Sequence, residues 1–231
     1  MEDPQKSTLM FVAGLIGAGK SKLVEGLQSI LKDSNIVPEP IDKLVLGNFL
    51  EQKTIYDVTP EVNKHKYVSS THSFQMAMLS LRYAKLVVAL SQDSKFVISD
   101  QGLLFDTAFA EEHSPLWTEE ERECYQMNYE CANKRVRKLC SNVIVIYLNE
   151  SVETCTARIK ERELRGERKG EVKAYNKTYL TNLKTIMDKL ITKLEKDGST
   201  TVIRLTIPNV PAEEYTSKIL NLIQTSLKSI F

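Results

Sequence analysis

Gly14-Leu15-Ile16-Gly17-Ala18-Gly19-Lys20-Ser21 satisfies the pattern G-x-x-x-x-G-K-[ST] in full. An apolar run, Leu9-Met10-Phe11-Val12-Ala13, leads into it, and Leu23, Leu27, Ile30 and Leu31 follow at helical spacing. That order is strand, glycine loop, helix, the setting in which such a loop binds phosphate. Its glycines let the backbone wrap an anion with several N–H groups inward, and the helix beginning near Lys20 adds its positive end to the same spot. Lys20 then reaches the terminal phosphates of a nucleotide, and the Ser21 hydroxyl is suited to ligate Mg²⁺. A chain built on this unit is committed to a parallel sheet with crossover helices.

The rest of the sequence agrees. Lys95-Phe96-Val97-Ile98-Ser99, Val143 to Leu148 and Thr201-Val202-Ile203-Arg204-Leu205 read as buried parallel strands, and a further strand ends at Val37. Helices are expected from His72 to Leu90 and from the capping box Thr118-Glu119-Glu120-Glu121 towards Cys140. Others are expected from about Tyr179 to Lys196 and from Pro211 to near Ile230. Strands alternating with helices, with no repeat and no linker, predict one α/β domain over residues 1–231. Its expected form is a doubly wound parallel sheet with helices on both faces.

Several classes of function are excluded. Lys plus Arg number 31 against 30 Asp plus Glu, so no broad basic field favours nucleic acid or a membrane surface. Cys124, Cys131, Cys140 and Cys155 form no CxxC pair, and they are expected to be reduced, mostly buried thiols rather than zinc ligands. The acidic start Met1-Glu2-Asp3-Pro4 fits neither a signal nor a transit peptide, and no apolar run approaches the roughly 20 residues of a membrane span. The chain is therefore expected in the cytoplasm. A GTPase would carry Asn-Lys-x-Asp after a strand, whereas Asn133-Lys134-Arg135-Val136 lacks the aspartate.

Three further features bear on chemistry. Val97-Ile98-Ser99-Asp100 is a strand ending in an acid, as expected of a carboxylate that holds Mg²⁺ beside the phosphate loop. Glu39, fixed between Pro38 and Pro40, is placed to take a proton from a substrate hydroxyl while the loop presents a γ-phosphate. From Arg158 to Lys173 seven positive residues (Arg158, Lys160, Arg162, Arg165, Arg168, Lys169, Lys173) face four negative ones. Such a segment reads as an arginine-rich lid over about 158–173, able to offset the charge of a transferring phosphoryl group.

Taken in order, these motifs, together with His72-Ser73-Phe74-Gln75, Arg82, Asp100-Gln101-Gly102-Leu103-Leu104-Phe105-Asp106 and Ile146 to Arg162, resemble the P-loop deoxyribonucleoside kinases. That family contains deoxycytidine, deoxyguanosine and mitochondrial-type thymidine kinases. The resemblance runs from Leu9 to the C-terminus and implies transfer of the ATP γ-phosphate to a deoxyribonucleoside 5′-hydroxyl, in nucleotide salvage, with Mg²⁺. It implies Glu39 as general base, and Lys20, Arg158 and Arg162 on the phosphoryl group. Gln75, Arg82 and Asp106 are implied at the base edge, with Phe74 lining the base pocket and Tyr67 or Glu171 at the sugar 3′-hydroxyl. Arg82 with Asp106 favours deoxycytidine or a purine deoxynucleoside over thymidine, and the family's long helices imply a homodimer.

One departure stands out. Where relatives carry Asp/Glu-Arg-Ser this chain has Asp100-Gln101-Gly102, which replaces a charge-assisted contact by a neutral amide. An altered substrate, compensation by Arg165 and a weakened enzyme all remain open. Two other functions share many of these features: a thymidylate-type nucleoside monophosphate kinase, and a nucleotide-binding regulator without turnover.

Overall fold

The computed structural model describes residues 6–40, 43–167, 170–206, 217, 218, 221, 223 and 225. At its centre lies β1 (Thr8–Gly14), a strand buried along its whole length. It can be apolar throughout because both edges are paired and both faces covered. On one side it pairs in parallel with β3 (Phe96–Asp100), which pairs with β2 (Ser34–Val37). On the other it pairs with β4 (Asn142–Leu148), followed by β5 (Thr201–Leu205). The order is β2-β3-β1-β4-β5, all parallel. From β1 the chain crosses to the edge strand β2, returns to β3 between them, and then passes β1 to β4 and β5, so strands on the two sides of β1 are reached in opposite directions, and the crevice at their carboxyl ends is where ligands bind in such sheets.

The helices are α1 (Lys20–Ile30), α2 (Lys43–Val58), α3 (Pro60–Leu90), α4 (Leu103–His113), α5 (Glu119–Leu139), α6 (Val152–Leu164), the short α7 (Glu171–Ala174) and α8 (Lys177–Asp197). They flank the sheet, with α1 and α3 packing against β2 and β3 and α8 against β5. The expected capping box opens α5: Thr118 Oγ1 accepts from Glu121 N at 3.2 Å, and Thr118 N donates to Glu121 Oε2 at 2.9 Å. Asn176 caps α8 through its side chain, and Gly198 ends it in the left-handed region.

The helix expected from His72 begins twelve residues earlier, at Pro60 in its first turn. Its opening turns carry Glu61, Asn63, Lys64, His65 and Lys66, so no apolar repeat marks them. Neither α2 nor α4 was expected. The α4 sequence buries Leu103, Phe105, Asp106, Ala108, Ala110 and His113, spread around the helix, and so lacks the polar stripe that identifies a surface helix. Cys124 and Cys131 are exposed and only Cys140 and Cys155 are buried, which corrects the expectation of mostly buried thiols. The last expected helix, from Pro211, lies largely outside the described residues. Among the described residues no helix is long and apolar enough to cross a membrane.

Candidate active site

The phosphate loop leaves β1 at Gly14 and enters α1 at Lys20. Lys20 Nζ donates to the carbonyls of Gly14 (3.2 Å) and Leu15 (3.0 Å), holding the ammonium against its own loop. Gly17 has φ of 83° and packs so closely on α6 that an added Cβ would lie 2.7 Å from the Cys155 carbonyl oxygen. Only glycine satisfies both conditions. From α6, Arg158 Nη1 reaches Gly17 O at 3.4 Å and Ala18 O at 3.2 Å, and it lies 3.6 Å from Glu150. Two of the three cations assigned to phosphate, Lys20 and Arg158, therefore meet at one loop.

Parallel register carries the acids to the same edge. Val12 lies opposite Asp100, and Val37 opposite Ser99. Ser21 Oγ donates to Asp100 Oδ2 at 2.5 Å. Burial pushes the Asp100 carboxyl above its ordinary range; Lys20, Ser21 and Arg82 oppose that shift, while the negative Glu39 reinforces it. Asp100 Oδ1 is buried with no protein partner. A hydroxyl and a carboxylate with one unmet oxygen, beside a phosphate loop, fit a hard cation that takes its remaining ligands from phosphate and water. Among the described residues no cluster of three His, Cys, Asp or Glu offers an all-protein metal cage.

A cavity of about 450 Å³ opens from this edge. Lys20, Ser21, Glu39, Gln75, Arg82, Asp106, Arg158, Arg162 and Glu171 all line it, so one space joins the phosphate loop to the groups assigned to the base. Gln75 is almost wholly buried apart from this lining. Arg82 Nε donates to Asp106 Oδ2 at 2.8 Å and Nη1 to Asp100 O at 2.5 Å, with both side chains nearly inaccessible. Burial raises the Asp106 carboxyl; Arg82 opposes this and Glu39 adds to it. The charge of Glu39 thus acts on both aspartates. Phe74 lines the cavity and stacks on Phe49 with centroids 4.5 Å apart and planes 10° apart, giving a flat apolar wall.

The segment expected as a lid is not uniform. Arg158 and Arg162 belong to α6, and Arg162 binds Glu171 Oε2 through Nε (3.0 Å) and Nη2 (2.5 Å). Glu171, 1% exposed, begins α7 at the cavity wall. Arg165 is exposed and paired with Glu161 and Glu167, while Arg168 and Lys169 lie outside the described residues.

Tyr67 is a correction. It does not line the cavity: its hydroxyl is buried 3.2 Å from His113 Nδ1, and its ring stacks on Tyr56. The tyrosines that do line it are Tyr175 and Tyr179. Sequence reasoning also missed Phe49, which sits on the unexpected α2, and Phe109 on α4. No local sequence signal marks Phe49, because α2 carries no clear apolar stripe that would orient it.

The deoxynucleoside kinase family profile matches residues 10–228. No curated protein matches the chain. Among solved structures it resembles deoxyadenosine kinase from M. mycoides. Its complex with the products dCMP and a flexible dCDP has 24% identity and a TM-score of 0.65, covering 96% of this chain and 99% of that one. The complexes with dCTP (21% identity, TM-score 0.63) and dATP (20%, 0.64) each cover 94% of this chain and 99% of theirs.

Proposed function

This chain belongs to the deoxynucleoside kinase family and is an ATP-dependent nucleoside kinase, and we propose that it transfers the γ-phosphate to the 5′-hydroxyl of deoxycytidine or a purine deoxynucleoside in preference to thymidine. The observation that carries this reading is that one cavity is lined by the phosphate loop, by Gln75, Arg82 and Asp106, and by Glu39. A carboxylate, a guanidinium and an amide together offer both acceptors and donors to a base edge, and suit bases bearing an exocyclic amine. The related M. mycoides enzyme was solved with dATP, dCTP and dCMP, whose bases are of this kind.

In the proposed reaction Glu39 takes the proton of the 5′-hydroxyl as its oxygen attacks the γ-phosphorus, and ADP leaves with the bridging oxygen. Lys20, Arg158 and Arg162 offset the charge on the transferring group, and the segment after Arg158 serves as a lid that excludes water. Ser21 and Asp100 would hold Mg²⁺, which supplies neutralisation of the phosphate oxygens when bound. Glu171 and Tyr175 are suited to the sugar 3′-hydroxyl. A thymidylate-type kinase needs a further cation for its acceptor phosphate, and where one would be useful, at Gln101 in the cavity lining, this chain has a neutral amide. A homodimer is supported by Leu81 and Val88, exposed at i and i+7 on α3, and exposed Met127 on α5.

The test is Glu39→Gln. Loss of the general base should lower kcat by about 10²–10⁴-fold while ATP affinity is kept. Turnover at the wild-type rate would remove Glu39 from the mechanism.

A further inference from the structure

Glu163 stands in the last turn of α6, where the carbonyl end of its own helix opposes a carboxylate. A contact across the following turn accounts for it. Glu163 Oε2 accepts from Val172 N at 2.7 Å, in the opening turn of α7, where backbone N–H groups have no partner within the helix. The residue that would ordinarily cap that turn is Gly170, which has φ of 86° and no side chain to offer. A helix of four residues does not hold its own first turn. The end of α6 therefore supplies the cap that the α7 sequence lacks.

Two adjacent residues of α6 grip two adjacent residues of α7. Arg162 takes the Glu171 carboxylate through Nε at 3.0 Å and Nη2 at 2.5 Å, and Glu163 takes the next backbone N–H. Between these grips the chain turns back through Gly166 and Gly170, both left-handed, and an added Cβ at either would meet nothing within 4 Å. Packing around those two glycines does not fix the path, so the grips must. They matter because Glu171 is 1% exposed and lines the cavity. The two are not equivalent. In the proposed reaction Arg162 serves the transferring phosphoryl group, and a hold that depended on it alone would weaken as the nucleoside reacts. The Glu163 contact is to backbone and involves neither reacting group.

We infer that Glu163 is a positioning residue for the acceptor: by capping α7 it keeps the Glu171 carboxylate in the cavity wall, available to a sugar hydroxyl. The inference rests on the proposed assignment of Glu171 to the 3′-hydroxyl. Glu163 itself does not line the cavity, so it acts on the substrate through Glu171.

The experiment measures kcat and KM for the better of deoxyadenosine and deoxycytidine, for its 2′,3′-dideoxy counterpart and for ATP. It compares wild type, Glu163→Ala, Glu163→Gln, Glu171→Ala and the double alanine variant. The readout is the ratio of kcat/KM for the two nucleosides, which differ only in the 3′-hydroxyl. Glu163→Ala should cut that ratio about tenfold, as for loss of one charge-assisted hydrogen bond, with KM for ATP unchanged. Glu163→Gln keeps an oxygen acceptor for Val172 N and should retain most of the ratio. The double variant should lose no more than Glu171→Ala alone, because both changes act at one carboxylate. A ratio unchanged by Glu163→Ala but lost in Glu171→Ala overturns the inference and leaves the sugar assignment standing. Equal losses on both nucleosides, or glutamine no better than alanine, overturn it too, since either would give Glu163 a role in the fold alone. No preference in wild type, or a preference that Glu171→Ala does not change, removes Glu171 from the 3′-hydroxyl and takes the inference with it.

Discussion

Arg82 and Asp106 form the most deeply buried ion pair described, with side chains 1% and 4% exposed and 2.8 Å between Nε and Oδ2. Removing one partner leaves the other charged in a low-dielectric interior, a loss of about 3–5 kcal/mol. Asp106→Leu strands a guanidinium whose remaining described partner is the Asp100 carbonyl. Arg82→Met strands a carboxyl that burial already holds above its usual range. The carboxyl can take up a proton, so the cost of Arg82→Met should grow as pH rises. Replacing both removes the charge problem and leaves mainly the unmet Asp100 carbonyl, about 1–3 kcal/mol. Urea denaturation at pH 7 should therefore show a double variant far more stable than the sum of the singles predicts, with a coupling of about 3 kcal/mol or more. Additivity within about 0.5 kcal/mol would refute the pair as a coupled buried unit.

Other outcomes follow from single contacts. Gly102→Ala drives a methyl into the Phe11 ring and should cost about 1–3 kcal/mol in chemical denaturation, part of it recovered by adding Phe11→Leu; an unchanged midpoint would contradict the packing. Burial beside Lys53 lowers His113 from 6.5 to about 3, so the folded state keeps it neutral. That stability is present above pH 6.5 and is lost as pH falls, at up to about 1.4 kcal/mol per unit. Wild type minus His113→Leu, measured by denaturation from pH 7 to 5, should show that slope, and parallel curves would refute it. Light scattering should give twice the 26.3 kDa chain mass, and Leu81→Glu with Val88→Glu should halve it; a wild-type monomer would end the dimer proposal.

Much of this was legible because backbone chemistry is local. The loop from Gly14 to Ser21, the strand ending in Asp100 and the capping box at Thr118 each announce themselves within a few residues, and the structure has all three. The sheet followed from buried strands alternating with helices. What was lost depended on faces rather than spacing. The α4 helix is buried on too many sides to show a polar stripe, and the opening of α3 is too polar to show an apolar one. Tyr67 went to the wrong place for the same reason: on a helix whose start was misjudged, nothing in the sequence says whether its ring meets the cavity or His113. Gln101 was legible as a departure, but its left-handed backbone and unmet amide are properties of the fold around it.

The central claim is phosphoryl transfer to a deoxynucleoside hydroxyl. The direct measurement is to incubate the protein with Mg·ATP and, separately, deoxyadenosine, deoxycytidine, deoxyguanosine, thymidine and thymidine monophosphate, and to resolve the products. 5′-Monophosphates are expected from deoxycytidine or a purine deoxynucleoside, formed faster than from thymidine. Diphosphate from the monophosphate alone, with every nucleoside returned unchanged, would contradict it.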